Sequence, residues 1–380
     1  MDINRRTFLL AGATAAAGAA VLSGEERRLS HLVKGSTDSV EPFYGAIQPG
    51  IATPQQEHAQ WTSFAFNGFD VASLHRLLRV WSTDAGLLMN AQPAMGDAEG
   101  ELAVTASGLT ITFGFGFSLY SKLGISNKWP FAVNAIPSFS IDKLNPEFSD
   151  GDLIVQVCGH DRVRVHHASR ELMRDARAFA SVKWQQTGFL SGTELSSGQT
   201  PRNLMGQKDG TANFDAASKE FQQTVLADSP AGSTSMVVRR IRMDLDTWEK
   251  LNPVMKEQAI GRTLTTGAPL TGGHEFTVPD YTARSGDRFV IPVDAHMRRA
   301  HETKSFLHRR GYNYQVETGA GTESGLMFVS FQADPATFIK IQKALAAMDS
   351  LNLWTTPIGS GLYFIPPGCQ EGKWVGEGVM

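Results

Sequence analysis

The strongest constraint on this chain is an order of elements that occurs twice. In the first half, residues 61–66 alternate as a strand. Asp70 then caps a helix predicted to run to about Trp81, with Val71, Leu74, Leu77, Leu78 and Trp81 on one apolar face. Residues 90–101 read as a loop, 109–113 as a strand and 152–158 as a strand. A second helix begins at Asp161 and runs to about Phe179, and residues 181–187 supply the next strand. The second half repeats the order. Residues 235–243 are a strand, 247–260 a helix, 325–331 a strand, 336–348 a helix behind Pro335, and 361–365 a closing strand. A long irregular stretch separates the 247–260 helix from the strand at 325.

Two β-α-β-β-α-β units predict an α+β chain of two ferredoxin-like domains, with antiparallel sheets and flanking helices. The expected division is 42–215 and 216–380, with residues 190–233 as the connection. A chain of 380 residues is long enough for both. Its charged fraction of 19% and net charge of −3, without a dominant Lys/Arg block, point away from nucleic acid or an anionic membrane as the main partner.

Residues 1–24 read as a Tat export signal, because Arg5-Arg6 precedes a short, weakly apolar run ending near Leu22. The expected location is the periplasm or the extracellular space, with the Tat translocase as a transient partner. Only Cys158 and Cys369 are present, and the absence of a CxxCH string excludes haem attached through paired cysteines. His166 and His167 are adjacent in a predicted helix. Neighbouring helical residues point about 100° apart, so the pair does not share one ion and reads as structural.

The remaining signal lies in the connection. Residues 201–213, PRNLMGQKDGTAN, lack helical or strand periodicity and place Asp209 between Lys208 and Gly210. Asp-Gly alone is a common turn pair. The longer string Gly206-x-x-Asp209-Gly210 resembles the GxxDG signature of the dye-decolourising peroxidases, a family of haem enzymes. Further strings agree with it: DAHxRxA around His296, HRRGY at His308–Tyr312, the opening segment around Gln48, TFGFG from Thr112, and Ile260-Gly-Arg262 with Gly267–Leu270. The resemblance spans roughly Pro42 to the C-terminus. It implies a dimeric α/β-barrel type of fold, with one non-covalent haem b per chain held mainly by the second domain.

What the resemblance implies for the site follows residue by residue. His296 is the proximal iron ligand. It follows an apolar, strand-like run, 287–293, that can aim it. Arg309 is the distal cation; its fixed charge and planar fork suit a developing oxyanion. Asp209 is the distal acid–base group. Gly210, Thr211 and Ala212 lie against the porphyrin edge, and His301, Glu302 and Thr303 beside the propionates. The family's arginine is absent from that last patch, so Arg298, Lys304 or Arg262 is expected to replace it. Leu326 and Phe328 share one strand face and wall the distal pocket. A carboxylate is expected on the second nitrogen of His296. Asp334 is the candidate, its rival role being to cap the helix that follows.

The activity implied is reduction of hydrogen peroxide with oxidation of phenolic or dye-like donors, through an oxo-ferryl intermediate. A carboxylate base stays ionised at lower pH than a histidine base does, so activity is expected to be highest in acid. The alternative is a haem-handling role: some exported relatives are associated with iron uptake under the name deferrochelatase/peroxidase. Bulky donors require an electron exit at a surface Trp or Tyr, and Trp354 and Tyr312 lie near the motifs. The sequence leaves the oligomeric state open, homo-oligomers included.

Overall fold

A computed structural model describes residues 39–68, 70–319 and 321–380. The export signal read at 1–24 lies outside the described residues. The first unit comprises β1 (His58–Phe66), α1 (Val71–Met89), β2 (Thr110–Gly116), β3 (Leu153–Gly159), α2 (Arg162–Ala176) and β4 (Ala180–Phe189). The second comprises β5 (Ala231–Met243), α3 (Pro253–Ile260), α4 (His296–Glu302), β6 (Tyr312–Thr318), β7 (Gly321–Gln332), α5 (Ala336–Met348) and β8 (Thr355–Ile365).

These eight strands join one ring in the order β5-β8-β2-β3-β1-β4-β6-β7, and β7 pairs back onto β5. Within it the first unit is ordered β4-β1-β3-β2 and the second β8-β5-β7-β6. This is the same 4-1-3-2 arrangement twice, so the fold is the expected pair of ferredoxin-like units, closed into a barrel. Ladders inside a unit are long; β1 and β3 pair from His58↔Gly159 to Phe64↔Leu153. The seams between units are short. They consist of Tyr363↔Gly116 with Phe364↔Phe115 on one side and Asn313↔Phe189 on the other.

Closure explains why the strands read as continuous apolar runs. On β3, Leu153, Val155 and Val157 pack into the core beneath α1 and α2. The alternate side chains Ile154 and Cys158 join a second cluster with Trp61, Tyr312, Met327, Val329 and Tyr363. Both faces are dry, so polar alternation is lost. Trp81 stacks on Phe113, with ring centroids 5.3 Å apart, and anchors α1 to the sheet. Each such fully buried aromatic or Leu side chain contributes about 1.5–3 kcal/mol. Cys158 and Cys369 are both buried and unbonded to each other.

Several boundaries differ from the sequence reading; the second helix stops at Ala176 and not near Phe179, and the closing strand starts at Thr355 and not at 361. Helix α1 extends past Trp81 to Met89, because Ala85, Leu88 and Met89 continue the buried stripe across Gly86. The single helix expected at 247–260 is two pieces, Leu245–Trp248 and Pro253–Ile260. Pro253 lacks a donor N–H, and Asn252 caps the second piece by accepting from the Met255 N–H. The irregular stretch contains β6, whose Tyr312 and Tyr314 are fully buried.

Candidate active site

The loop 201–213 is a small folded object. Arg202 and Lys208 form an antiparallel bridge. The Asp209 N–H donates to the Pro201 carbonyl at 2.9 Å, and the Asn203 N–H to the Gln207 carbonyl at 2.9 Å. Gly206 and Gly210 have φ of 85° and 119°, a region closed to most side chains. The loop is tied to the barrel by Asn313 on β6, whose Oδ1 accepts from the Leu204 N–H at 3.0 Å and whose Nδ2 donates to the Arg202 carbonyl at 3.1 Å. A second tie is Arg202, which salt-bridges Glu194 at 3.1 Å.

This mounting brings Asp209 to Arg309. Arg309 Nη2 lies 3.5 Å from Asp209 Oδ1, and both side chains are partly open to solvent. Arg309 belongs to a two-residue strand, His308–Arg309, paired with the inner end of β7. Asn213, the last residue of the loop string, clamps its backbone from both sides. Gly311 leaves room beside the carboxylate; a Cβ there would sit 3.5 Å from Asp209 Oδ2. Arg310 turns the other way. Its guanidinium is buried against the opening segment, donating to the Thr53 carbonyl and to Gln56 Oε1, the latter at 3.1 Å. The two adjacent arginines therefore have separate tasks.

His296 begins α4. Its Nδ1 donates to Asp349 Oδ2 at 2.6 Å, while Asp349 Oδ1 accepts from the Leu351 N–H at 2.9 Å. Asp294 is held in turn by the Ser350 hydroxyl at 2.8 Å. Burial favours the neutral imidazole, but the Asp349 carboxylate outweighs it and holds the His296 pKa above the ordinary histidine value. The charges of Arg309 and Asp209 also act on this ring, with opposite signs, so the three side chains share one electrostatic neighbourhood. Asp334 does not reach His296. It caps α5 instead, accepting from the Ala336 N–H at 2.8 Å. The partner of His296 is Asp349, which sequence reasoning missed; it lies 53 positions away.

The other sequence candidates are placed as follows. Gly210 and Thr211 are buried and Ala212 exposed. The Thr211 hydroxyl donates to Glu275 Oε1 at 2.9 Å, and Lys208 Nζ contacts Glu275 Oε2 at 2.7 Å. His301 is exposed and stacks on Tyr281, with centroids 4.1 Å apart. Exposed Glu302 binds Arg298 and Arg299, and buried Thr303 donates to the Ala300 carbonyl at 2.7 Å. Arg298 and Arg262 are engaged with backbone carbonyls, those of Ile291 and of Gly267 and Glu275. Lys304 is exposed. Leu326 and Phe328 pack with Met205, Trp248 and Ile260, behind the Asp209 loop.

The donor set suits a haem iron. With Nδ1 committed to Asp349, His296 presents Nε2 as its one remaining ligating atom. A carboxylate and a guanidinium share its surroundings, as peroxide activation requires.

Comparison with known proteins agrees with this geometry. Residues 48–190 match the family description "Dyp-type peroxidase, N-terminal", and residues 200–370 match "Dyp-type peroxidase, C-terminal". The chain is 32% identical over 400 residues to a protein of Escherichia coli (strain K12) named deferrochelatase, covering 97% of this chain and 94% of that one. It superposes on a DyP-type peroxidase from Cellulomonas bogoriensis with a TM-score of 0.87 and 41% identity, covering 91% and 99% of the two chains. An oxyferrous complex of DtpA from Streptomyces lividans gives 0.86 and 37%, covering 90% and 98%. A dye-decolorizing peroxidase from Bacteroides thetaiotaomicron, at 16% identity and a TM-score of 0.65, shares the fold. The chain belongs to the Dyp-type peroxidase family and is a peroxidase, an oxidoreductase that uses hydrogen peroxide and an electron donor.

Proposed function

We propose that this peroxidase binds one non-covalent haem b per chain through His296 Nε2, with Asp209 and Arg309 on the peroxide side. The observation that carries the reading is the pairing of two charged dyads in one neighbourhood: His296 with Asp349, and Asp209 with Arg309. Haem bound there supplies the redox centre at which peroxide is reduced and donors are oxidised. The residues do the rest. Asp349 fixes the proton on His296 Nδ1 and makes Nε2 a stronger donor. Asp209 takes the proton from the inner peroxide oxygen and returns it to the outer one, so that water leaves. Arg309 stabilises the negative charge that develops as the O–O bond breaks.

Gly210, Thr211 and Ala212 are assigned to the ring edge. His301, Glu302 and Thr303 are assigned to the propionate side, and Phe328 to the pocket wall. Phenolic or dye-like molecules are the proposed donors. Export by the Tat route is supported by Arg5-Arg6 and the apolar run behind them. Changing both arginines to lysine should retain the protein in the cytoplasm.

The test is an absorption spectrum of purified, haemin-supplied protein before and after one equivalent of peroxide. Wild type should show a Soret band that shifts on peroxide addition. His296→Ala should lose the ligated-haem spectrum, and Asp209→Asn should keep it while losing the fast peroxide response. A colourless wild type, or an unchanged spectrum in His296→Ala, overturns the assignment. A second reading, removal of iron from haem, is favoured by the name its Escherichia coli relative carries. It predicts intact metal-free porphyrin as product, detectable by mass spectrometry; peroxidase turnover alone yields none.

A further inference from the structure

On the outer face of the first unit, α1, α2 and the loop after α1 enclose a group of charges that the peroxidase site does not use. His167 and Glu171 are one turn apart on the buried face of α2. Asp97, from the loop, approaches them, with its Oδ2 2.9 Å from His167 Nε2. One ligating atom from each of the three lies within 4.8 Å of the others. The side chains of His167 and Asp97 are sealed from solvent, at 1% and 0% exposure, and Glu171 is buried.

A second observation points to an ion. His167 Nδ1 is buried without a hydrogen-bond partner, and the charge of fully buried Asp84 on α1 acts against that of Asp97. Asp84 Oδ1 accepts from the Met95 N–H at 3.0 Å, and the Asp175 carboxyl donates a shared proton to the Asp84 carboxylate. Against Asp84, Asp97, Glu171 and Asp175 stand two guanidinium groups. Arg174 pairs with Glu171 and Asp175, and Arg164 is spent on the Leu88 and Leu102 carbonyls. A buried, unpartnered imidazole nitrogen beside carboxylates in excess of their counter-charges is costly unless a proton or a cation satisfies the group.

We propose that Asp97, His167 and Glu171 bind a divalent first-row transition-metal ion. Two carboxylates and one imidazole suit Mn²⁺ or Zn²⁺ better than Ca²⁺ or Mg²⁺, which prefer all-oxygen shells. With bonds of about 2.0–2.2 Å, ligand atoms around a tetrahedral ion lie about 3.3–3.6 Å apart, so the three side chains draw together as the ion binds. The ion displaces the proton shared by His167 and Asp97 and joins α2 to the loop after α1. Half-exposed Arg174, whose guanidinium donates to the Met95 and Gly96 carbonyls, covers the way in. The adjacent His166 is exposed and takes no part.

The experiment uses untagged, haem-loaded protein, stripped with chelator and dialysed against MnCl₂ or ZnCl₂. Bound Mn or Zn is counted by mass spectrometry, separately from haem iron, and the unfolding midpoint is followed with and without metal. Wild type and His166→Gln should retain one Mn or Zn per chain. Their midpoint should rise by roughly 5 °C when metal is a hundredfold above its Kd. His167→Gln and Glu171→Gln should weaken binding by about tenfold or more and lose the metal-dependent rise. Asp97→Asn serves in the same comparison if His167→Gln does not fold. Wild type that retains no Mn or Zn, or binding equal in all variants, overturns the proposal.

Discussion

Asn213 grips Arg309 by its main chain: Asn213 Nδ2 donates to the Arg309 carbonyl at 2.7 Å, and Asn213 Oδ1 accepts from the Arg309 N–H at 2.9 Å. The loop that carries Asp209 thus also sets the position of its guanidinium partner. Asn213→Ala should leave haem binding intact and slow peroxide turnover by about a hundredfold, the scale of a small misplacement of catalytic groups. Stopped-flow mixing with peroxide, compared with the resting spectrum, checks both halves of that expectation.

Asp349→Asn should weaken haem retention by about 10–100-fold, because an amide cannot hold the His296 Nδ1 proton as a carboxylate does. Haemin titration of the apoprotein measures it. Asp334→Asn is the control. It touches only a helix start, so its cost is about 1 kcal/mol of stability or less, with unchanged haem affinity.

The neighbouring arginines should separate by readout. Arg310→Met removes the donor to the Thr53 carbonyl and Gln56 Oε1 inside the protein, and should cost about 3 kcal/mol of stability. Arg309→Met should stop peroxide turnover with little change in the unfolding midpoint. Thermal unfolding and turnover on the two variants decide the matter.

Glu57 pairs with His160 Nδ1 under partial burial. Burial works to raise the Glu57 pKa, but the hydrogen bond and charge of His160 outweigh it and leave the pKa below the ordinary glutamate value of 4.5. The unfolded chain therefore takes up this proton first. The pair's stabilisation is present above pH 4.5 and is lost as pH falls from there through the lower folded value. Glu57→Gln should lower stability at neutral pH by about 1 kcal/mol and flatten the decline below pH 4.5. Denaturant midpoints between about pH 3 and 7 test the sign.

Local rules carried much of the fold. Asp70 and Asp161 cap their helices by side-chain bonds to backbone N–H groups, and α5 spans 336–348 as its periodicity indicates. Strand β6 was hidden because its residues, from Tyr312 onward, sit directly behind Gly311 and next to a motif rich in charge. Only pairing with β7 reveals them as strand. The sequence motifs pointed to Asp209, His296 and Arg309, where the chemistry is compact, and the structure brings Asp209 to Arg309. Asp349 was not legible, since nothing near it in sequence distinguishes a histidine partner from a cap of the turn at Ser350–Leu353. Asn213 and Asn313 carry no local mark either; their roles exist only once distant segments meet.

The narrow seams of the ring have a practical consequence. The halves touch edge to edge through two residue pairs on one side and one on the other, yet each hides the other's outermost strand. Severed between residues 190 and 200, either fragment would be left with two raw borders of unclaimed amides and carbonyls, ready to zip onto copies of itself. The peroxidase is thus indivisible in a way its internal duplication does not suggest: the halves resemble each other, but neither is built to exist alone.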